Sequence, residues 1–230
     1  LNLYINKMIY ICNMKIKYPR SWHLPYSEKS SDDDRKHTND MHFDGKQVVV
    51  TIKMDGENTT IYNDHIHARS INSLVDSEDR RWIDNFRKLK IKDNIPNSFR
   101  ICGENLFYKH TCYYTNLESM FYAFSIWDDN KCLSWEETKI WCDLLEIKMV
   151  PVLYEGIYDK KIIIDLFNKY LDQDAEGFVI RTSDEFNINE FNSSLSKYVR
   201  KTFSIPDRHW KYSKKIMNKL KNNQDVWLTF

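Results

Sequence analysis

Apolar positions fall into short clusters along the chain, some alternating and some at helical spacing. The run Gln47-Val48-Val49-Val50-Thr51-Ile52-Lys53-Met54 is dense in β-branched residues, which suit a pleated surface, and predicts a strand over 47–54. Two more strands are predicted over 59–62 and 65–70, turning at Asn63-Asp64. Others are predicted over 100–104, 121–127, 150–154, 176–181 and 197–203. Helical spacing predicts helices over 78–90, where Trp82, Phe86 and Leu89 share a face, over 134–147 and over 160–171. The second of these opens with Ser134 and Glu137 in capping-box spacing and carries Trp141, Leu144 and Leu145 on its apolar side. A basic amphipathic helix is predicted over 207–220. Strands arrive in clusters and hairpins, not in alternation with helices. The expected fold class is therefore α+β with antiparallel sheets.

Composition narrows the picture. The chain has 230 residues, 42% hydrophobic, with fourteen Tyr, twelve Phe and seven Trp, enough for a packed core and against disorder. Lysine and arginine number 34 against 33 acidic residues, so net charge does not mark a nucleic-acid binder. Charge is partly segregated, acidic over 31–34 and basic over 208–221, and solvated surface is the plain reading of both runs. In particular Asp32, Asp33 and Asp34, within a polar stretch over 27–44, are expected in a water-exposed loop. His65 and His67 share a strand face, but with no third ligand apparent they read as hairpin surface. Five cysteines without a CxxC argue against a disulfide framework or a zinc site and fit a reducing compartment such as the cytoplasm. No apolar run reaches membrane-spanning length, so no membrane partner is expected. Residues 1–20 lack a signal-peptide cleavage pattern, and Met14 is a candidate start. Residues upstream of Met14 are expected to carry no function, and 1–20 to be an N-terminal extension, followed by one domain over 21–205 and a helical tail over 206–230.

Four segments carry candidate chemistry. Lys53-Met54-Asp55-Gly56-Glu57-Asn58 sets a lysine at a strand end before a glycine turn. Desolvation or a neighbouring cation would lower its pKa and free the amine as a nucleophile. Taken alone, an ordinary surface turn accounts for so short a motif equally well. Glu104, in Gly103-Glu104-Asn105, could grip a ribose hydroxyl or merely end a strand. The alternating aromatics of Phe121-Tyr122-Ala123-Phe124-Ser125-Ile126-Trp127 could stack on a purine, although such stripes more often form core. Glu176-Gly177-Phe178-Val179-Ile180-Arg181 and Lys197-Tyr198-Val199-Arg200-Lys201 could line one pocket with both signs, or could pair surface charges.

In order along the chain, KMDGEN, GEN, FYAFSIWD, EGFVIR and KYVRK resemble the motifs of the covalent nucleotidyltransferases, the ligases and capping enzymes. The likeness is closest to the RNA ligase 2-like branch of the ATP-dependent RNA ligases and runs over 48–210. The flanking HLPYS at 23–27, ENLFYKH at 104–110, LSWEET at 133–138 and His209-Trp210 are similar to ligase-like members of that branch. The resemblance implies a ligase-type nucleotidyltransferase fold, with antiparallel sheets and flanking helices. It implies that Lys53 carries AMP, that Asn58 positions the nucleotide, and that Arg69 contacts the ribose or the 5′-phosphate end. It further implies that Glu104 binds the ribose, Phe124 stacks on adenine, Glu176 supports the metal and phosphates, Arg181 adds a cation, and Lys197 contacts the α-phosphate. Ser125 stands where the family often has Asp. Val199 stands where a second motif lysine is usual, leaving Arg200 or Lys201 to replace its charge.

The implied activity is an RNA ligase that uses ATP and Mg²⁺ or Mn²⁺ to join an RNA 5′-phosphate to a 3′-hydroxyl in RNA repair, acting as a monomer. A DNA ligase or a GTP-using capping enzyme shares the lysine chemistry. Both usually add an OB-fold domain, for which the 27 residues after Phe203 leave no room. A non-catalytic RNA-binding module built on Lys211, Lys214, Lys215, Lys219 and Lys221 is a different class, and it would not need Lys53, Glu104, Glu176 and Lys197 together.

Overall fold

The computed structural model describes residues 15–28, 34–71, 76–170, 175–201 and 215–230. Among these, strands β1 (Trp22–His23), β11 (Leu195–Val199), β9 (Gly177–Thr182), β2 (Gln47–Lys53) and β8 (Val152–Ile157) form a five-stranded sheet in that order. A six-stranded sheet runs β10 (Phe186–Asn187), β7 (Lys131–Cys132), β6 (Phe121–Asp128), β5 (Phe99–Asn105), β3 (Glu57–Tyr62) and β4 (Ile66–Ala68). Every neighbouring pair is antiparallel except the two-residue β1 beside β11. The α+β expectation holds, and the three short strands β1, β7 and β10 are additions to it.

The period of two in the central strands decides what the five-stranded sheet does. Val48, Val50 and Ile52 of β2 and Phe178 and Ile180 of β9 are buried beneath the Lys160–Tyr170 helix, whose Phe167 ring sits 5.1 Å from that of Phe178. The alternate positions, Thr51 and Lys53 with Val179 and Arg181, look out from the opposite face into a cleft. Against the six-stranded sheet packs the Glu78–Phe86 helix, with Trp82 and Ile83 fully buried and Phe86 5.6 Å from Phe121.

Several sequence expectations need correction. The first helix ends at Phe86 and passes into a wider π-type turn over Arg87–Ile91, so Leu89 rotates outward to 62% exposure while Ile91 is buried. The capping box forms as expected at Ser134 and Glu137, but the helix is Trp135–Leu144, and Leu144 is exposed while Trp135, Thr138 and Cys142 are buried. His67 is not hairpin surface. It is buried, with Nδ1 2.7 Å from the Ala68 carbonyl.

Of the basic helix expected over 207–220, residues 207–214, including His209-Trp210, lie outside the described residues. Residues 215–220 are not helical: Met217 bridges Tyr108, and Leu220 bridges Leu117. Asn218 is fully buried, donating to the Leu106 carbonyl at 2.7 Å and accepting from the Tyr114 N–H at 3.0 Å. Residues 1–14 lie outside the described residues, while Tyr18, within the expected extension, is buried against Phe124, Trp127 and Phe191.

Candidate active site

The two sheets face each other across a cleft of about 440 Å³. Its floor is the outward face of the five-stranded sheet. Register sets Thr51, Val179 and Lys197 in one row across β2, β9 and β11, and Lys53 opposite Gly177 in the next. The facing wall is built from Asn58 of β3, which pairs with Glu104 of β5, and from Phe124 of β6. Phe124 reaches the cleft because β6 bulges there: Cys102 pairs with Ser125 and Gly103 with Ala123, leaving Phe124 between them unpaired and re-aimed. Its ring meets Tyr18 edge-on at 5.3 Å.

The KMDG turn is pinned residue by residue. Asp55 accepts the Thr111 and Cys112 N–H groups at 2.6 and 2.7 Å, and its own N–H donates to the Tyr114 hydroxyl at 2.9 Å. The Gly56 N–H donates to Glu104 at 3.1 Å. A β-carbon on Gly56 would stand 2.5 Å from the Asn105 carbonyl oxygen, so only glycine lets the turn approach β5 this closely.

Charge is concentrated here. Lys53 Nζ forms an ion pair with Glu176, whose side chain is 15% exposed. The sequence reading expected a lowered amine pKa. Burial does push it down, but the carboxylates of Glu176, Glu104 and Asp55 outweigh burial and hold the ammonium above its ordinary value. Lys53 is therefore charged. The Glu104 carboxyl is pushed up to about 8, first by burial and then by Glu176 and Asp55, against the pull of Lys53.

This shift has a consequence for stability. A carboxyl that holds its proton more tightly when folded costs nothing below its ordinary 4.5 and costs progressively more as pH rises to about 8. Glu104→Gln removes that cost. Thermal melting should show the variant matching the native protein near pH 4.5 and exceeding it by on the order of 1 kcal/mol at pH 8.

Lys197 sits at the other side of the floor, its Nζ 3.0 Å from Asp34 Oδ1, while the other oxygen of Asp34 lies 3.2 Å from His23 Nε2. Asp34 is thus not a water-exposed loop residue, having a side chain only 18% exposed, whereas Asp32 and Asp33 lie outside the described residues. Arg69 lines the cleft beside Arg20. Its pKa is lowered by burial and by that neighbouring cation. Asn58 Oδ1 and Arg69 Nε are buried without a hydrogen-bond partner among the described residues.

Arg181 lines the cleft but is 3% exposed, and its guanidinium donates to the backbone carbonyls of Thr182 and Leu133 at 3.0 and 2.8 Å. It is largely occupied in joining β9 to β7. Arg200 does not line the cleft; its N–H donates to the Glu176 carbonyl at 3.2 Å. Sequence reasoning missed Tyr18, Arg20, His23 and Asp34. HLPYS was a signal for His23, but nothing local distinguished Asp34 from its acidic neighbours.

The family model for RNA ligase matches residues 46–199, most of the described sheets and every wall of the cleft except the Tyr18–Ser21 segment. The chain belongs to the RNA ligase family. Among solved structures, Naegleria gruberi RNA ligase with PPi has a TM-score of 0.53 at 19% identity, over 83% of this chain and 62% of that one. The same ligase as a lysine-to-alanine mutant with ATP and Mn gives 0.52 at 19%, over 82% and 62%. A putative ATP-dependent DNA ligase from Aquifex aeolicus gives 0.56 at 18%, over 80% and 50%. At such identities the likeness carries the fold, which is the nucleotidyltransferase architecture of ligases. No curated protein matches significantly. This RNA ligase family member spans 62% of the length of the Naegleria ligase. Among its described residues no helix is long and apolar enough to cross a membrane.

Proposed function

We propose that the chain is an ATP-dependent RNA ligase in which Lys53 becomes covalently adenylylated. One observation carries the reading: a strand-end lysine, a carboxylate in contact with it, a second lysine and an aromatic ring, drawn from four separate segments, converge at one cleft. Lys53 Nζ bonds to the α-phosphorus of ATP as the bond to pyrophosphate breaks. The ammonium must first lose its proton, so the Lys53–Glu176 pair has to open or pass that proton to the carboxylate. AMP then transfers to an RNA 5′-phosphate, and a 3′-hydroxyl displaces it. Phe124 supplies a stacking face for adenine, and Asn58, Arg69 and Glu104 supply polar contacts to the nucleotide. Lys197 offsets charge on the α-phosphate.

The residues present fit a divalent cation. Glu176 and Glu104 are hard oxygen donors, and burial, with the Glu176 charge adding to it, raises the Glu104 pKa, a cost that a cation between them would relieve. Among the described residues no cluster of three or more His, Cys, Asp or Glu forms a preformed cage. That suits Mg²⁺ or Mn²⁺ held by Glu176 together with nucleotide phosphates, where it would neutralise phosphate charge. The buried free thiols Cys102, Cys132 and Cys142 support a reducing compartment.

A DNA substrate is the second reading, because a putative DNA ligase shares the fold. The test incubates the protein with Mg²⁺ and α-labelled ATP or GTP, then offers nicked RNA and nicked DNA duplexes. Label from ATP on the protein, passing to the RNA 5′-phosphate, is the expected result. Label from GTP alone, or none, would overturn the reading, and transfer to DNA alone would establish the second.

A further inference from the structure

The HLPYS segment has no part in the chemistry above, yet it is built onto the strand that carries Lys197. His23 is aligned with Lys197 in the β1–β11 pair, and the Leu24 N–H donates to the Lys197 carbonyl at 2.8 Å. Ser27 Oγ accepts the Val199 N–H at 3.0 Å and lies 2.8 Å from His23 Nδ1. His23 is 1% exposed, and burial, followed by the nearby Lys197 charge, lowers its pKa, so the imidazole is neutral. Ser27 Oγ also reaches the Val199 carbonyl at 3.5 Å, so its hydroxyl hydrogen has two acceptors within range. The Asp34 carboxylate only accepts, which favours the imidazole hydrogen on Nε2, and that nitrogen stands 3.2 Å from Asp34 Oδ2 without hydrogen-bond alignment. The other oxygen of Asp34 ion-pairs with the Lys197 ammonium. The chain of contacts leaves β11 at Val199 and returns to it at Lys197.

We propose that His23 and Asp34 are positioning residues for Lys197, holding its ammonium against the cleft wall where a nucleotide phosphate arrives. The inference rests on the reading of Lys197 as a phosphate ligand. A lysine has four rotatable bonds, and unrestrained it would deliver its charge to the phosphate only part of the time. Asp34 also opposes the loss of that charge. Burial, helped by Lys53, leaves the Lys197 pKa below its ordinary value, and Asp34 and, more weakly, Glu176 pull against that fall. Arg69 and Arg20 add positive charge near by, which is a further reason for a carboxylate at this point.

Asp34→Asn keeps the shape and an acceptor oxygen but removes the charge from a half-buried site. In single-turnover adenylylation by ATP and Mg²⁺ we expect the maximal rate to fall roughly tenfold, with KM for ATP changed less than about twofold and the melting temperature unaltered. The alkaline limb of the rate profile should move to lower pH. His23→Gln, which keeps an N–H toward Asp34, should retain more activity than His23→Leu. A rate at or above the native one, or a loss confined to KM or to melting temperature, would overturn the proposal. A second readout needs no turnover: reductive methylation followed by mass spectrometry should modify Lys197 several-fold faster in Asp34→Asn. If the native protein takes no label from ATP but Lys197 still gains reactivity in the variant, the ligase reading fails and the restraint stands. Unchanged Lys197 reactivity sinks the restraint whatever the label shows.

Discussion

Lys53→Ala is expected to abolish the covalent protein–AMP adduct, lowering labelling by α-labelled ATP more than about 1000-fold. The side chain ends β2, an interior strand of the five-stranded sheet, at a turn pinned by Asp55 and Gly56, and its amine is the only lysine nitrogen in contact with Glu176 among the described ion pairs. No neighbour can substitute: Lys197, the other lysine lining the cleft, is restrained by Asp34. Lys53→Arg should fail as completely although it keeps the positive charge, because a guanidinium does not give up its proton in this range. Non-covalent nucleotide binding should survive both changes, since Phe124, Asn58 and Lys197 are untouched. Denaturing gel electrophoresis after incubation with labelled ATP checks the adduct. Retained label in Lys53→Ala would show that another residue is the nucleophile.

Gly177→Ala is expected to cost roughly 2–4 kcal/mol of stability and to cripple the site at temperatures where the protein is still folded. A β-carbon at this position would run into the carbonyl oxygen of Tyr198 and stand 2.9 Å from its carbonyl carbon and 3.1 Å from the Val199 Cα. These are backbone atoms of β11, already paired to β9 on one side and β1 on the other, so they cannot yield as a side chain would. Forcing β9 and β11 apart displaces Glu176, which immediately precedes Gly177, and Lys197, which lies on β11. Gly156→Ala is the control. Gly156 also sits in a strand of the same sheet, but its added carbon would meet only the Tyr154 side chain, which can swing away. Urea denaturation should leave Gly156→Ala within about 0.5 kcal/mol of the native protein and lower the midpoint of Gly177→Ala sharply.

Much of the architecture was legible from local pattern. The β-branched run ending at Lys53, the Asn63-Asp64 hairpin, the Ser134–Glu137 capping box and the helix beginning at Lys160 each follow from forces acting within a few residues. Order along the chain also carried the family resemblance, and with it Lys53, Asn58, Arg69, Glu104, Phe124 and Lys197, all of which line the cleft. Glu176 is absent from the lining but reaches Lys53 directly. Arg181 and Arg200 shared the same motifs, yet one is engaged by backbone carbonyls and the other lies outside the cleft.

What sequence alone determined is most of the longer elements and most of the polar groups that line the cleft, because propensity, period and turn chemistry are properties of neighbours. Tertiary structure alone decided three things. Residues 215–220 have helical spacing but extend along Tyr108 and Leu117, where the buried amide of Asn218 finds partners that a helix would deny it. Asp34, one of three successive aspartates, alone among the described acidic residues bridges His23 and Lys197. Lys53 is held protonated chiefly by Glu176 and Glu104, both remote from it in sequence. Each of these depends on groups remote in the chain, and electrostatic energy depends on distance in space, which a local pattern does not encode.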